Sequence, residues 1–272
     1  MHFRTNSGNR GSLLMSLIFD THAHYDDSAF DNDREELLSK LPSEDVFAVI
    51  NAGADIESSH KSIEFSEKYD YIYAAVGIHP ENMDKIAHEN FVDELEKLIL
   101  NNKKVVAVGE IGLDYYYNSE NKDAQKSVFE IQIKIALRHN LPTIIHDREA
   151  HNDILTILKK YKPKGVIHCF SGNLEMAEEV INLGMHIGIG GIVTFKNTKN
   201  ILEIVKNISL SSIVLETDAP YLAPAPFRGK RCNSAQIKYT AEKIAEIKGI
   251  ETSEVLKVTQ KNAVKLFGVF TK

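Results

Sequence analysis

Leu17-Ile18-Phe19-Asp20-Thr21-His22-Ala23-His24 is an apolar run that ends in two histidines spaced i, i+2. A strand sends alternate side chains to one face. A strand here therefore turns His22 and His24 the same way. Neutral imidazole is the commonest metal-binding side chain, and two on one strand face grip an ion with little loop entropy to overcome. An isolated H-x-H also arises by chance, so its meaning depends on how the later runs end.

They end alike. Tyr71 to Ile78 runs into His79-Pro80, and Val105-Val106-Ala107-Val108 into Gly109-Glu110-Ile111-Gly112-Leu113-Asp114. Pro142-Thr143-Ile144-Ile145 reaches His146-Asp147-Arg148, Gly165-Val166-Ile167 reaches His168-Cys169, and Ile213-Val214-Leu215 reaches Glu216-Thr217-Asp218. Two further runs, Val46 to Ile50 and His186 to Gly191, complete a set of eight. Between them lie helical spacings: Phe91, Leu95 and Leu98; Val128, Ile131 and Ile135; Ile154, Ile157 and Leu158; Met176, Val180 and Leu183; Ile201, Ile204 and Val205. Gly184 reads as a helix stop, and two last helices end near Gly268. Short continuous apolar strands alternating with helices predict a parallel sheet covered on its outer face. Eight such units predict an α/β fold of the TIM (β/α)8 barrel type, as a single domain. The rival, an open doubly wound sheet, lacks its glycine-rich phosphate loop after the first strand.

The composition is that of a soluble globular chain: 272 residues, 43% apolar, 26% charged, formal charge −6. That charge gives no general attraction to polyanions, so nucleic-acid binding must use local basic groups or bound cations. Cys169 and Cys232 have no metal-ribbon spacing and fit a reducing cytoplasm. No apolar run approaches the ~18 residues of a membrane span. Nothing calls for an obligatory protein partner. Residues 1–14 are polar and glycine-bearing and lack a signal-peptide core. They read as an appended leader or a disordered extension, with the domain covering 15–272.

Six of the eight runs thus end in a metal-ligand type: His22 and His24, His79, Glu110, His146, His168 and Asp218. Barrel enzymes place their chemistry at this C-terminal rim. Even without His79, four imidazoles and two carboxylates exceed the needs of one tetrahedral ion. They suit two divalent ions, with Glu110 able to bridge. Period two turns Cys169 away from His168, to pack as a small hydrophobe, and turns Thr217 away from Asp218. It puts Glu216 one layer beneath Asp218, in support, and puts Asp20 on the face of His22 as a hydrogen-bonding group inside the barrel. His2, His60, His88, His139 and His151 read as surface groups, and His186 lies at the wrong end of its strand.

With these residues assembled, the chain resembles the TatD family of metal-dependent deoxyribonucleases. The matching segments are FDTHAHYDD, GIHPE, GEIGLDYY, IIHDREA, HCFSG and LETDAPYLAP, from Phe19 toward the terminal helices. The resemblance implies a TIM barrel, two divalent ions and phosphodiester hydrolysis, often as a 3′-to-5′ exonuclease on DNA. Carried over by position, His22, His24, Glu110 and Asp218 hold one ion; Glu110, His146 and His168 hold the other. Magnesium or manganese suits phosphoryl chemistry, and the imidazoles suit zinc. His79 matches a residue that touches the substrate phosphate. Arg228, Lys230 and Arg231 fall in the family's basic loop, and Arg148 joins them as a candidate substrate contact. The loop reads Arg231-Cys232-Asn233-Ser234 where many relatives have Arg-Asn-x-Pro, which leaves its contacts open. Asp218 and Glu110 are the candidate catalytic carboxylates, with Asp218 orienting or deprotonating the attacking water. Two other hydrolytic readings share this site: a small-molecule amidohydrolase or lactonase, and a D-aminoacyl-tRNA deacylase. Many binuclear amidohydrolases bridge their metals with a carboxylated lysine where this chain has Glu110, which favours the nuclease.

Overall fold

A computed structural model describes residues 17–83, 90–117 and 119–269. The leader and Met15, with His2 and His88, lie outside the described residues. The strands are β1 (Ile18–Ala23), β2 (Val46–Ala52), β3 (Ile72–Val76), β4 (Val105–Asp114), β5 (Thr143–Arg148), β6 (Gly165–Ile167), β7 (His186–Ile189) and β8 (Ile213–Leu215). They form one parallel sheet in the order β1 to β8. The helices are α1 (Arg34–Lys40), α2 (Ile56–Lys68), α3 (Phe91–Asn101), α4 (Lys122–Arg138), α5 (His151–Tyr161), α6 (Leu174–Asn182), α7 (Lys199–Asn207), α8 (Ile237–Lys248) and α9 (Thr252–Phe267). This is the expected single-domain TIM barrel.

Two apolar layers arise from the alternation of side chains. Phe19, Ala48, Ile50, Ala75, Ala107, Ile144, Val166 and Val214 make an inner cluster, joined by Phe267 and Val269 from the end of α9. Ile18, Val49, Val76, Val108, Ile145, Ile167 and Ile213 face the other way, into a larger cluster with the helices. Helix ends carry the expected signals. Asp55 and Ser58 form a reciprocal capping box on α2, Asn173 caps α6, and α9 stops at Gly268.

Helix α4 departs from the expected face. It buries Gln125, Phe129, Gln132, Ile133, Ile135 and Ala136, while Val128 and Ile131 are only partly covered. The two glutamines disguise the stripe. Each is buried because its amide serves strand backbone: Gln125 binds the N–H and C=O of Asp114, and Gln132 those of Ile78.

The strand ends also differ in detail. Glu110 lies inside β4, not at its end, because β4 runs on to Asp114 beside β5. Gly112 permits that approach: at φ 151° it lies where an added Cβ would strike the backbone of His146. Between Val108 and Ile111 the register slips, three steps on β4 against two on β5 from Thr143 to Ile145. The bulge resets which face each residue takes. A similar slip lies between Asp20 and Ala23 on β1.

That slip moves Asp20 out of the barrel, off the face of His22. Its carboxylate sits at the seam where β8 meets β1, among Thr217 and the turn at Ser234. It accepts from Thr217 N (3.0 Å), Thr217 Oγ1 (2.7 Å), Ser234 Oγ (2.7 Å) and His22 N (3.2 Å). Other seam contacts include a bridge between Ala23 and Ala219, Asp218 N to His22 O (2.9 Å), His24 N to Ala219 O (2.7 Å) and Thr21 Oγ1 to Leu215 O (3.0 Å). Asp20→Ala leaves several buried donors without an acceptor. At roughly 1–3 kcal/mol for each group left unpaired, the expected loss is about 3 kcal/mol or more, read by urea denaturation of the metal-free protein. A loss under about 1 kcal/mol would show that the seam draws its stability elsewhere.

Candidate metal centre

The C-terminal rim collects every predicted ligand around one carboxylate. Glu110 is buried, and its two oxygens face different partners. Oε2 stands 3.4 Å from His22 Nε2 and 3.4 Å from His24 Nε2. Oε1 stands 2.7 Å from His168 Nε2, 2.9 Å from His146 Nδ1 and 3.4 Å from His79 Nε2. Asp218 Oδ1 closes the first group, 3.7 Å from His22 Nε2 and 3.6 Å from His24 Nε2. Three overlapping sets could each hold an ion: His22, His24 and Asp218; His22, Glu110 and His168; His79, Glu110 and His146. His168 lies between the groups, its ring stacked on His22 at 4.0 Å. His79, expected at the substrate phosphate, also stands among the candidate ligands.

Two of the rings are aimed by their other nitrogen. His24 Nδ1 pairs with Ala52 O at 2.9 Å, leaving Nε2 as the lone-pair nitrogen. His146 Nε2 meets Asp114 Oδ2 at 3.0 Å. A carboxylate behind a ligating imidazole fixes ring orientation and raises its basicity. Asp114 is itself fixed by Gln125, and the backbone before His79 by Gln132. Sequence reasoning missed Asp114, although Glu110, Gly112 and Asp114 share one strand face by period two. It also missed Gln125 and Gln132, whose spacing of seven sets them on one helix face. Glu216 is where support was expected. Buried beneath the rim, it accepts from Cys169 N, and Gly188 leaves room for it, since an added Cβ would collide with its carboxylate. Cys169 breaks its expectation. β6 has already ended at Ile167, Cys169 takes φ 43°, and the residue lines the cleft.

The electrostatics are those of a cation site. Burial raises the Glu110 carboxyl, but His168, His79, His22 and the bond from His146 outweigh it and hold it well below the usual carboxylate range. Asp218 is also lowered: burial opposes this, while His24, His22 and His168 prevail. Burial and His168 push His22 down to about 4, so its ring is a neutral donor. Burial works against protonation of His146, yet Asp114 and Glu110 raise it to about 10. His24 is raised well above its ordinary value by Asp218 and Glu110 against the same burial. Without a metal, the carboxylates draw protons onto the rings that a cation would replace. The geometry agrees. His22 Nε2 and His24 Nε2 are 2.9 Å apart, close to the ~3.0–3.4 Å expected for two nitrogens each about 2.1 Å from one ion. The donor set therefore fits divalent metal.

Comparison with known proteins agrees with this site. A family model described as TatD related DNase matches residues 19–268. The chain belongs to the TatD family of metal-dependent hydrolases. It is 41% identical to YabD of Bacillus subtilis, an uncharacterized metal-dependent hydrolase, over 93% of this chain and 100% of that one. It is 33% identical to YcfH of Escherichia coli, described in the same words, over 93% of this chain and 96% of the other. The crystal structure of YjjV, a TatD homologue from Escherichia coli, superposes with a TM-score of 0.86 at 31% identity, covering 93% of this chain and 98% of that one.

In this TatD-family chain the centre floors a cleft of about 560 Å³. Arg148 lies in its wall with Asp26, Asp27, Glu81 and Asp147. The basic loop divides. Arg231 is committed to structure: it grips both oxygens of Asp33 at 2.7 and 2.5 Å, donates to Ala29 O at 2.7 Å, and covers the ring of Phe30. Those bonds consume most of the donors that a phosphate would need. Arg228 rests over Phe195, and Arg228 and Lys230 are exposed beyond the cleft wall. The departure at Cys232-Asn233-Ser234 is accommodated: Cys232 is buried, Asn233 caps the next turn, and Ser234 bonds Tyr25 and Asp20. Of the imidazoles read as surface groups, His139 and His151 are instead partly buried, paired with Glu96 at 3.4 Å and with Asp147 at 2.8 Å. No helix among the described residues is long and apolar enough to cross a membrane.

Asp114→Ala removes the group behind His146 while leaving every candidate ligand in place. Metal affinity should fall about 10- to 100-fold, measured by chelator competition. Unchanged affinity would mean that His146 is aimed without Asp114.

Proposed function

We propose that the protein hydrolyses phosphodiester bonds in DNA, as a TatD-like 3′-to-5′ exonuclease using two divalent ions, magnesium or manganese, with zinc also able to bind. One observation carries this reading: the two oxygens of Glu110 face two different imidazole sets, as a bridging carboxylate would. The description of the family model as a DNase directs the chemistry toward DNA. When bound, two such ions acidify water and neutralise charge on the attacking and leaving oxygens of phosphoryl transfer.

The chain's own groups would do the rest. His22, His24 and Asp218 hold one side of the site, and His146, His168 and His79 the other, with Glu110 between. Asp218 sits at the seam with φ 61°, its N–H tied to His22 O, so its carboxylate is presented beside both rings of β1. From there it orients the attacking water and accepts its proton. Arg148 meets the phosphate from the cleft wall, while Arg228 and Lys230 attract the strand from outside.

Metal-loaded protein incubated with end-labelled single-stranded DNA, RNA and aminoacyl-tRNA should shorten DNA from its 3′ end. Release of amino acid without nucleotide loss would favour the deacylase instead. Titration of metal-free protein should saturate at two ions per chain, and Glu110→Ala should lower that number. Because Asp114 and Glu110 raise His146 to about 10, and His24 is raised as well, metal uptake at neutral pH must displace protons. Affinity should therefore increase with pH, and calorimetry in buffers of different ionisation enthalpy should register proton release. Asp218→Asn keeps shape and one coordinating oxygen but loses the proton acceptor. Turnover at saturating metal should fall about a hundredfold or more while DNA binding persists. Near-normal turnover would move the proton to Glu216 or bulk water.

A further inference from the structure

Tyr116, Tyr117 and Tyr221 are 55%, 68% and 53% exposed, and they are the three aromatic members of the exposed large hydrophobic set among the described residues. All three lie at the mouth of the cleft. Tyr117 and Tyr221 line it, and Tyr116 packs edge-on against Tyr117 at 4.7 Å. Tyr117 comes after β4 and Tyr221 after β8, so they stand on different parts of the barrel rim.

Both are keyed to the metal centre. Asp114 Oδ1 accepts from Tyr116 N (2.9 Å) and Tyr117 N (2.8 Å), while its Oδ2 meets His146. Tyr221 N donates to the carbonyl of Asp218 at 2.8 Å, and its hydroxyl donates to Asp27 at 2.7 Å. Tyr221 is thus bonded directly to a candidate ligand residue, and Tyr117 reaches one through Asp114. Arg148 braces the first pair, its guanidinium 4.8 Å from the Tyr116 ring and 5.7 Å from that of Tyr117.

The charge of the cleft says what these rings are for. Arg148 is the one Lys or Arg among the described residues lining it, against Asp26, Asp27, Glu81 and Asp147. A strand entering there finds few cations for its phosphates but two exposed tyrosines for its bases. Base–aromatic stacking is strong and indifferent to sequence. Resting on the phosphodiesterase reading, we infer that Tyr117 and Tyr221 stack on bases flanking the scissile phosphate and so position the strand over the metal centre.

The test uses the full metal-loaded chain and a phosphorothioate-linked single-stranded oligodeoxynucleotide, with binding read by fluorescence anisotropy. Tyr117→Leu and Tyr221→Leu should each weaken binding about tenfold or more. Tyr117→Phe and Tyr221→Phe, which keep the ring, should restore it. An oligonucleotide with abasic sites at its 3′ end should bind the Leu variants and the parent alike. Leu variants that bind the intact strand as the parent does, or that lose equally on the abasic strand, would overturn the inference. If the parent cleaves DNA in either case, the phosphodiesterase reading survives. If the parent neither binds nor cleaves any oligonucleotide, that reading falls as well.

Discussion

A carboxylate taken out of water must be paired, and Glu110 is paired with imidazoles from β1, β5 and the turns after β3 and β6. Few arrangements satisfy so many groups at once, so each contributing segment is held by bonds of its own. Ala52 holds His24, Asp114 holds His146, and the amides of Gln125 and Gln132 hold the backbone at Asp114 and before His79. These bonds tie neighbouring segments of the barrel wall to one another: β1 to β2, β4 to β5, and α4 to β4 and the turn after β3. The centre is thus as rigid as the barrel rim, the condition for groups that must act at fixed distances.

Closure is the second constraint. β8 stops at Leu215, short of the level at which β1 carries its histidines. The gap is bridged by side chains and by a turn in which Asp218 takes a left-handed conformation that aspartate tolerates better than most residues. Asp20 holds Thr217, Thr217 fixes the turn, and the turn presents Asp218 to His22 and His24. Stability of the seam and placement of the carboxylate are therefore one arrangement.

The cleft above the centre is acidic, which suits cations more than it suits a polyanion. The phosphate strand proposed as substrate would depend there on the charge of bound ions, on Arg148 and on uncharged contacts, since Arg231 is tied to Asp33. The rim loops are the part of a barrel that varies without disturbing the fold. The tyrosines stand on these loops, while the imidazoles stand on or just beyond the strands.

The sequence by itself determined the barrel and the ligand-type residues that gather at the C-terminal ends of its strands. Both depend on local periodicity: runs such as Ile144 to His146 and Gly165 to His168 show strand, boundary and ligand together, because a parallel strand buried on both faces is apolar until it reaches the rim. Local pattern fails where two chain segments must be known at once. The bulges at Asp20 and Glu110 invert the facing of the residues beyond them, and nothing in either run announces them, because register is set by the partner strand. The glutamines of α4 read as surface until the backbone groups they serve are in place, and Arg231 reads as a free cation until Asp33 stands beside it. Tertiary structure alone decided which oxygen of Glu110 faces which histidines, that His79 joins them, and that Asp114 stands behind His146. Distances of about 3–4 Å between residues far apart in the chain are set by packing and closure, which no local spacing encodes.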